Sequence, residues 1–207
     1  MLKQFRYIFI LCSILLTACG QSFIVETSLD VPQPVPSPLP LKMAVLYEPQ
    51  LREYTYTENN EDRINWSIKI GPSQVQLFDL ILPAMFTSID HIEQSSNTEG
   101  QGYDAIIIPE IKDIQFALPF ETKSTLHETW IKYAIHIQQT NGIEITTMHV
   151  IGYGKSSNKT SIKFMLNEKE GLLYATNQAF RDLAAKIIVT FQSNSDIQKW
   201  LVSKSIH

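Results

Sequence analysis

The chain of 207 residues has a formal net charge of −4 and contains two cysteines, Cys12 and Cys19. This length fits one domain, and the acidic balance disfavours a nucleic-acid-binding protein, which usually has a basic surplus. Two cysteines cannot supply a disulfide-rich scaffold or a four-thiolate zinc site. Both cysteines lie in the first twenty positions, which makes the amino-terminal segment the most informative part of the sequence.

The first eighteen residues have the layout of a signal peptide. Lys3 and Arg6 precede an apolar run over residues 7–16, which is too short for a membrane-spanning helix. Residues 16–19, Leu-Thr-Ala-Cys, resemble the lipobox of bacterial lipoproteins. The resemblance implies cleavage just before Cys19, attachment of diacylglycerol to its sulfur and acylation of the new amino terminus, for example with palmitate. An ordinary secretory peptide or a hydrophobic first helix is the alternative.

Lipidation of Cys19 would determine where the protein resides. Several acyl chains anchor a protein stably, whereas a single chain binds a membrane only marginally. Gly20 follows the cysteine where an Asp would otherwise stand, which under the usual sorting rule implies the outer membrane, at its periplasmic face. Loss of the leader removes Lys3 and Arg6, so we expect a mature net charge of −6 and no free thiol. Thiol catalysis and cysteine-ligated metals are then excluded.

Residues 19–41 are predicted to form a tether between the lipid and a globular domain over residues 42–207. Residues 31–40 read Val-Pro-Gln-Pro-Val-Pro-Ser-Pro-Leu-Pro, a pattern that favours an extended polyproline II spacer. At about 3.1 Å per residue, such a spacer holds the domain roughly 30 Å from the lipid. A proline-rich ligand for a partner module is the alternative.

The first half of the domain is predicted to contain strands around one helix. Residues 73–89 have apolar side chains at helical spacing, with Ser73 as the expected N-cap and a kink expected at Pro83. Residues 48–62 are polar and indicate a turn. Strands are expected over residues 41–47, 63–70, 103–109 and 111–118.

The second half is predicted to be a long β-hairpin followed by helix. Residues 129–138 and 143–153 alternate in polarity, and Asn141 with Gly142 forms a tight turn between them. The alternation slips near Thr146, which indicates a bulge. Helices are expected over residues 167–192 and 196–203. The predicted fold class is α/β (α+β): a single mixed sheet with two main helices packed on one face, and the long hairpin before the carboxyl-terminal helix.

No catalytic, cofactor-binding or metal-binding residue is predicted from the motifs. Residues 152–156, Gly-Tyr-Gly-Lys-Ser, lack the first glycine of a phosphate-binding loop, so Gly152 and Gly154 are interpreted as marks of a bulge or twisted strand end. His136 and His149 would be at best diagonal neighbours across the hairpin, which is a weak basis for a metal pair. The remaining histidines, His91, His127 and His207, form no spaced pair.

Carboxylates and aromatic side chains offer the remaining candidates. Glu121 with Glu128, and Glu168 with Glu170, are interpreted as charges of loops and helix starts rather than as a glycosidase pair. An apolar groove could form from residues 116–120 together with Trp130 and Tyr133, although core packing is the more common fate of such residues.

Several stretches resemble a group of periplasmic lipoprotein domains. This group comprises the amino-terminal domain of the Tol-system propeller protein, the curli secretion-channel lipoprotein and the activators of peptidoglycan synthases. The stretches are Met-Ala-Val-Leu-Tyr at 43–47, Ile-Gly-Pro-Ser at 70–73, Tyr-Asp-Ala-Ile at 103–106 and Gly-Tyr-Gly at 152–154. The chain lacks the long amphipathic hairpin that the curli channel inserts into the membrane. More loosely, it resembles auxiliary lipoproteins of envelope lipid transporters.

The leading hypothesis is a lipid-anchored, non-catalytic adaptor or accessory protein for envelope assembly or transport. It would act through contact with an envelope protein, or with further copies of itself through an exposed sheet edge, and would not bind nucleic acid. A lipid-binding or small-ligand-binding transporter component is the first alternative, with a deep apolar pocket between sheet and helices. An enzyme acting on peptidoglycan or glycans is the second.

Overall fold

The computed structural model describes residues 22–32, 37–59, 65–95, 98–122, 126–157 and 164–204. The predicted signal peptide, Cys19 and His207 lie outside these residues. The strands are β1 Ser22–Glu26, β2 Leu39–Leu46, β3 Thr55–Glu58, β4 Asn65–Lys69, β5 Phe86–Ile92, β6 Ala105–Ala117, β7 Leu126–Gln138 and β8 Glu144–Ser157. The helices are α1 Pro49–Arg52, α2 Gly71–Met85, α3 Pro119–Thr122, α4 Phe164–Ser193 and α5 Ser195–Ser203.

The larger sheet has five strands in the order β5-β2-β6-β7-β8. Strand β2 pairs in parallel with both β5 and β6, whereas β7 pairs antiparallel with both β6 and β8. Tyr133 of β7 contacts Phe78 of α2. Gly152 of β8 pairs with Ile131, which lies on the same face of β7 as Tyr133, and Gly152 lies against α4. Helices α2 and α4 therefore cover one face of the sheet, as predicted.

A second, three-stranded sheet in the order β1-β4-β3 lies beside the larger one. The prediction of a single sheet is therefore wrong. The alternation of β4 is as predicted, with Trp66 and Ile68 buried and Asn65 and Lys69 exposed. Trp66 packs edge-on against Phe116 of β6, at 5.3 Å between ring centroids, so the small sheet extends the core past the end of β2.

The predicted tether is wrong from Ser22 onward. Residues Ser22–Glu26 form β1, which pairs in parallel with β4, and Val25 is completely buried. Farther along, Arg181 of α4 donates hydrogen bonds to the backbone oxygen and the carboxylate of Asp30. The prolines thus lie between two packed strands, β1 and β2, and the packed part of the described chain begins near residue 22 rather than 42.

Local signals misplaced several boundaries. The helix predicted to reach residue 89 ends at Met85, because the chain continues as β5 and pairs with β2. Its N-cap is Ile70, and Ser73 instead bonds Thr27. The polar stretch 48–62 contains α1 and β3. The two strands predicted on either side of residue 110 are one continuous β6, which makes antiparallel pairs with β7 along almost its whole length.

The predicted hairpin is confirmed. Its turn has Gly142 at φ 83° and a hydrogen bond from the Gln139 N–H to the Ile143 carbonyl. The ladder shifts register where Gln138 pairs with Glu144 and Ile137 with Thr146, so the bulge lies at Ile145, next to the predicted position. Among the helices that the structure describes, none has both the length and the apolar character needed to span a bilayer.

Gly152 and Gly154 have a different role from the one predicted, because the β7–β8 ladder runs through both without a register shift. A Cβ atom on Gly154 would lie 2.0 Å from the Ala175 carbonyl oxygen and 2.4 Å from the Ala179 nitrogen. One on Gly152 would lie 2.5 Å from the Ala179 oxygen. The glycines are therefore where the backbone of α4 approaches β8 directly.

Candidate functional site

An open cleft of about 510 Å³ lies where β2 ends and the chain turns into α1. Carboxyl ends of parallel strands are common ligand sites in α/β sheets, and β2 and β5 run parallel here. The cleft wall combines apolar and charged side chains of both signs. Its lining residues are Leu46, Tyr47, Glu48, Pro49, Gln50, Arg52 and Glu93.

A hydrogen-bonded group of three side chains adjoins this cleft. The Tyr47 hydroxyl donates to Asp79 Oδ1 at 2.7 Å, and His91 Nε2 lies 3.2 Å from the same oxygen. The His91 ring also meets the Tyr47 ring edge-on, with centroids 5.2 Å apart. Three separate segments contribute these residues: the end of β2, the middle of α2 and the end of β5. We call this group the Tyr47–Asp79–His91 cluster.

The chemistry of this cluster fits polar binding better than nucleophilic catalysis. Burial, and secondarily the hydrogen bond to Asp79, raises the pKa of Tyr47 far above its usual value, so its hydroxyl stays protonated. Asp79 and His91 remain substantially exposed, which leaves them accessible to a ligand. In the part of the chain that the structure describes, no group of three or more His, Cys, Asp or Glu side chains is placed to hold a metal ion.

A buried polar chain links the cleft wall to the core. The Tyr133 hydroxyl donates to the Gln74 side-chain oxygen, and Gln74 Nε2 donates to the Leu51 carbonyl of α1 at 2.9 Å. Tyr133 and Gln74 are completely buried. Burial raises the pKa of Tyr133 well above its usual value, so it remains a hydrogen-bond donor. This chain ties α1 to α2 and β7.

His136 and His149 lie on neighbouring strands of the hairpin. His149 lies opposite Ala134 and His136 opposite Thr147, so the two are diagonal neighbours, as the spacing predicted. His136 instead contacts Thr147 Oγ1 at 2.8 Å and Glu110 Oε2 at 3.1 Å. Lys112 and then His136 lower the pKa of Glu110. These contacts hold neighbouring strands together on the sheet face opposite α2 and α4.

The predicted carboxylate pairs take separate partners. Glu128 accepts a hydrogen bond from the Tyr153 hydroxyl at 2.6 Å, whereas the Glu121 carboxylate lies 3.5 Å from Trp66 Nε1. Glu170 is exposed on α4, and the side chain of Glu168 lies outside what the structure describes.

The aromatic residues considered for an apolar groove pack against other side chains, in agreement with the preferred interpretation as core. Tyr133 is buried against Phe78, and Trp130 contacts Tyr153, with their ring centroids 5.2 Å apart. Phe116 packs against Tyr56 and Trp66. Core packing therefore accounts for Tyr133 and Phe116. His127 is also fully buried, directly against Gly171 of α4.

The two edges of the larger sheet differ. At β8, Asp182 of α4 accepts a hydrogen bond from the Tyr153 N–H at 2.9 Å, and Lys186 donates to the Ile151 carbonyl at 2.9 Å. Asp182 and Lys186 also form an ion pair at 2.6 Å. These side chains occupy backbone groups that would otherwise attract another strand. The other edge strand is β5, a shorter strand of seven residues.

Removing Asp182 and Lys186 together should allow β8 to pair with a strand of another molecule. We expect the double variant Asp182→Ala/Lys186→Ala to self-associate with increasing concentration, because the outward Tyr153 N–H and Ile151 carbonyl lose their side-chain partners. Light scattering after size-exclusion chromatography measures the change. The matched control is Asp196→Ala/Lys199→Ala, which removes an exposed ion pair of α5. Equal behaviour of both double variants would rule out a protective role.

These observations define an α+β protein with two mixed sheets and helices on one face of the larger sheet. No protein-family model matches the sequence, and a search of curated proteins finds no match. Among solved structures, the chain is similar to a Xanthomonas campestris protein of the family DUF330. That match has a TM-score of 0.51 and 10% identity, and it covers 83% of this chain and 98% of the other.

Two lipoproteins also resemble the chain, at lower TM-scores. The minor lipoprotein of Acinetobacter baumannii has a TM-score of 0.44 and 14% identity, covering 78% of this chain and 95% of its own. Lipoprotein B of Nitrosomonas europaea has a TM-score of 0.44 and 13% identity, and the match covers 84% of this chain and 97% of the other. At such identities the likeness concerns the fold alone. It does not single out the Tol-propeller, curli-channel or synthase-activator group.

Proposed function

We propose that the protein is a bacterial envelope lipoprotein, anchored through acyl chains on Cys19 at the periplasmic face of the outer membrane. It acts as a non-catalytic adaptor or accessory through contacts with other envelope proteins. The observation that carries this proposal is the lipobox at residues 16–19, which is followed almost at once by the packed strand β1. An anchor joined so closely to the domain keeps the domain at the membrane.

The arrangement of side chains supports a role in binding. The Tyr47–Asp79–His91 cluster is held by its own hydrogen bonds, and the Tyr47 hydroxyl stays protonated. The edge strand β5, which pairs on one side only within the described structure, and the cleft beside α1 offer polar surfaces to a partner. Strand addition at β5 would also allow homo-oligomers, because β8 is occupied by Asp182 and Lys186.

The cleft favours a second candidate, a small-ligand-binding component of an envelope transporter. A deep apolar pocket between sheet and helices was the expectation for that role, but large buried side chains such as Phe78, Tyr133 and Phe180 occupy that layer. The cleft instead lies outside the core, with glutamates and an arginine on its wall. A ligand there would be small and polar rather than a lipid tail.

The anchor is tested by replacing each cysteine in turn. In cells fed labelled palmitate, we expect the wild type and Cys12→Ala to incorporate label and to sediment with outer membranes. Cys19→Ala should lose both properties, because its sulfur is the acceptor of the diacylglycerol. Cys12→Ala is the matched control, since it removes a thiol of the leader and leaves the lipobox intact. Unchanged labelling and fractionation of Cys19→Ala would refute the anchor.

The adaptor role is tested by crosslinking in intact cells. We expect the same envelope protein to be recovered in repeated experiments, and its recovery to fall in variants of the β5 edge such as Thr87→Lys, at an exposed position of that strand. Ile151→Lys, on the occupied edge, is the control. A monomeric protein with no recurrent partner would contradict the role.

A further inference from the structure

The start of β1 fixes how near the domain comes to the lipid. Only three steps along the chain separate Cys19 from Ser22, the first residue of β1. Three Cα–Cα steps span at most about 11 Å, because consecutive Cα atoms are about 3.8 Å apart. The strand is held firmly, since Val25 is completely buried and the Thr27 hydroxyl lies 2.7 Å from that of Ser73.

A lipid on Cys19 would therefore lie next to one end of the domain. Ser22 pairs with Asn65, and the next pair brings Trp66 to the same level. Trp66 contacts Phe116 and Tyr56, each at 5.3 Å between ring centroids. We call this end the anchor pole: the starts of β1 and β4 with the Tyr56–Trp66–Phe116 cluster.

The opposite end is defined by strand β6, which runs from one end of the domain to the other. Phe116 stands near the end of β6, and Ile106, ten residues earlier, pairs with Gln138 just before the hairpin turn. Ten residues of strand extend roughly 33 Å. Helix α5 ends on the same side as this turn, where Lys204 contacts Asp104 at 3.2 Å. We call the hairpin turn and the end of α5 the distal pole.

We infer that the anchor pole rests on the lipid surface and that the domain stands on it, with the distal pole pointing away from the membrane. This inference rests on the proposed lipidation of Cys19. The bilayer is the occupant of the anchor pole because the chain outside the described structure ends there in the lipidated residue. The exposed side chain of Ile143, in the hairpin turn, is then directed away from the membrane.

Site-specific fluorescence tests the orientation. The mature chain has no other cysteine than Cys19, so a single thiol can be introduced and labelled. Thr57→Cys places a probe at the anchor pole, at an exposed position opposite Ser67, and Ile143→Cys places one at the distal pole. The lipidated full-length protein is reconstituted in vesicles of phosphatidylethanolamine and phosphatidylglycerol that contain a headgroup spin-labelled lipid as quencher. We expect the Thr57→Cys probe to be quenched several-fold more than the Ile143→Cys probe.

A flexible insertion provides the matched control. About 15 Gly and Ser residues placed between Gln21 and Ser22 have a root-mean-square span of roughly 20 Å and should largely release the Thr57→Cys probe from the quencher. Equal quenching of both probes, stronger quenching at Ile143→Cys, or no quenching of a protein that does sediment with vesicles would overturn the orientation. Failure to sediment at all would overturn the anchor, and the orientation with it.

Discussion

Replacing Gly154 by alanine is expected to destabilise the domain by about 3 kcal/mol, because overpacking at a rigid contact is costly. The added Cβ would lie 2.0 Å from the Ala175 oxygen and 2.4 Å from the Ala179 nitrogen. Both are backbone atoms of α4, so no side-chain rotation relieves the overlap and the helix must move off β8. Urea denaturation of residues 20–207, which retain β1, gives the free energy of unfolding.

The control separates this steric effect from the backbone preference of glycine. Gly142 has φ 83° and open space around it, so Gly142→Ala should cost only about 1 kcal/mol, the usual penalty for a left-handed alanine. If Gly154→Ala proves no worse than Gly142→Ala, the backbone of α4 does not lie against β8. The close approach of the helix would then no longer account for the Gly-Tyr-Gly sequence.

The second large effect is expected at Gln74. Gln74→Leu leaves the Tyr133 hydroxyl and the Leu51 carbonyl without this partner in the buried interior, and a loss of about 3 kcal/mol follows from two such groups. Thermal and urea unfolding measure the loss. Gln76→Leu, at an exposed position of the same helix, should change stability little.

A double-mutant cycle makes this test specific. In the Gln74→Leu background, Tyr133→Phe removes the hydroxyl that has lost its acceptor. The double variant should therefore be more stable than the sum of the two single effects on the free energy of unfolding would give. Because the Leu51 carbonyl still lacks its donor in the double variant, only part of the lost stability should be recovered. Strict additivity would show that Tyr133 and Gln74 do not act as one network.

Patterns that are local in sequence were predicted well. Strand β7 has Ile131, Tyr133, Ile135 and Ile137 on one face, and Asn141 with Gly142 specifies a tight turn, so the hairpin follows from its own residues. The buried face of β4 was predicted in the same way, from the alternation of Trp66 and Ile68 with polar residues. The end of α2 and the start of β5 at Phe86 were missed, because Ile89 continues the helical spacing of Ile81, Leu82 and Met85. Pairing of β5 with β2 overrides that pattern, and no local signal reports it.

Features that join distant segments were not predictable. Strand β1 has only five residues, and the prolines after it made the whole stretch resemble a spacer. The Tyr47–Asp79–His91 cluster draws on three segments whose proximity follows from the parallel pairing of β2 with β5 and the return of α2 between them. His91 was visible as a lone histidine, but its carboxylate partner could not be named before the topology was known.

The pairing of β1 has a consequence for the order in which the fold assembles. Ser22 pairs with Asn65, forty-three positions later in the chain. A chain made from its amino terminus therefore exposes β1 first, yet β1 has no ladder to join until β4 has emerged. Contacts between positions so far apart form slowly, because a long loop must close before they contribute. The first strand to be made therefore stays without a ladder until β4 has been made, although the pairing of β2 with β6 joins positions still farther apart, sixty-two residues.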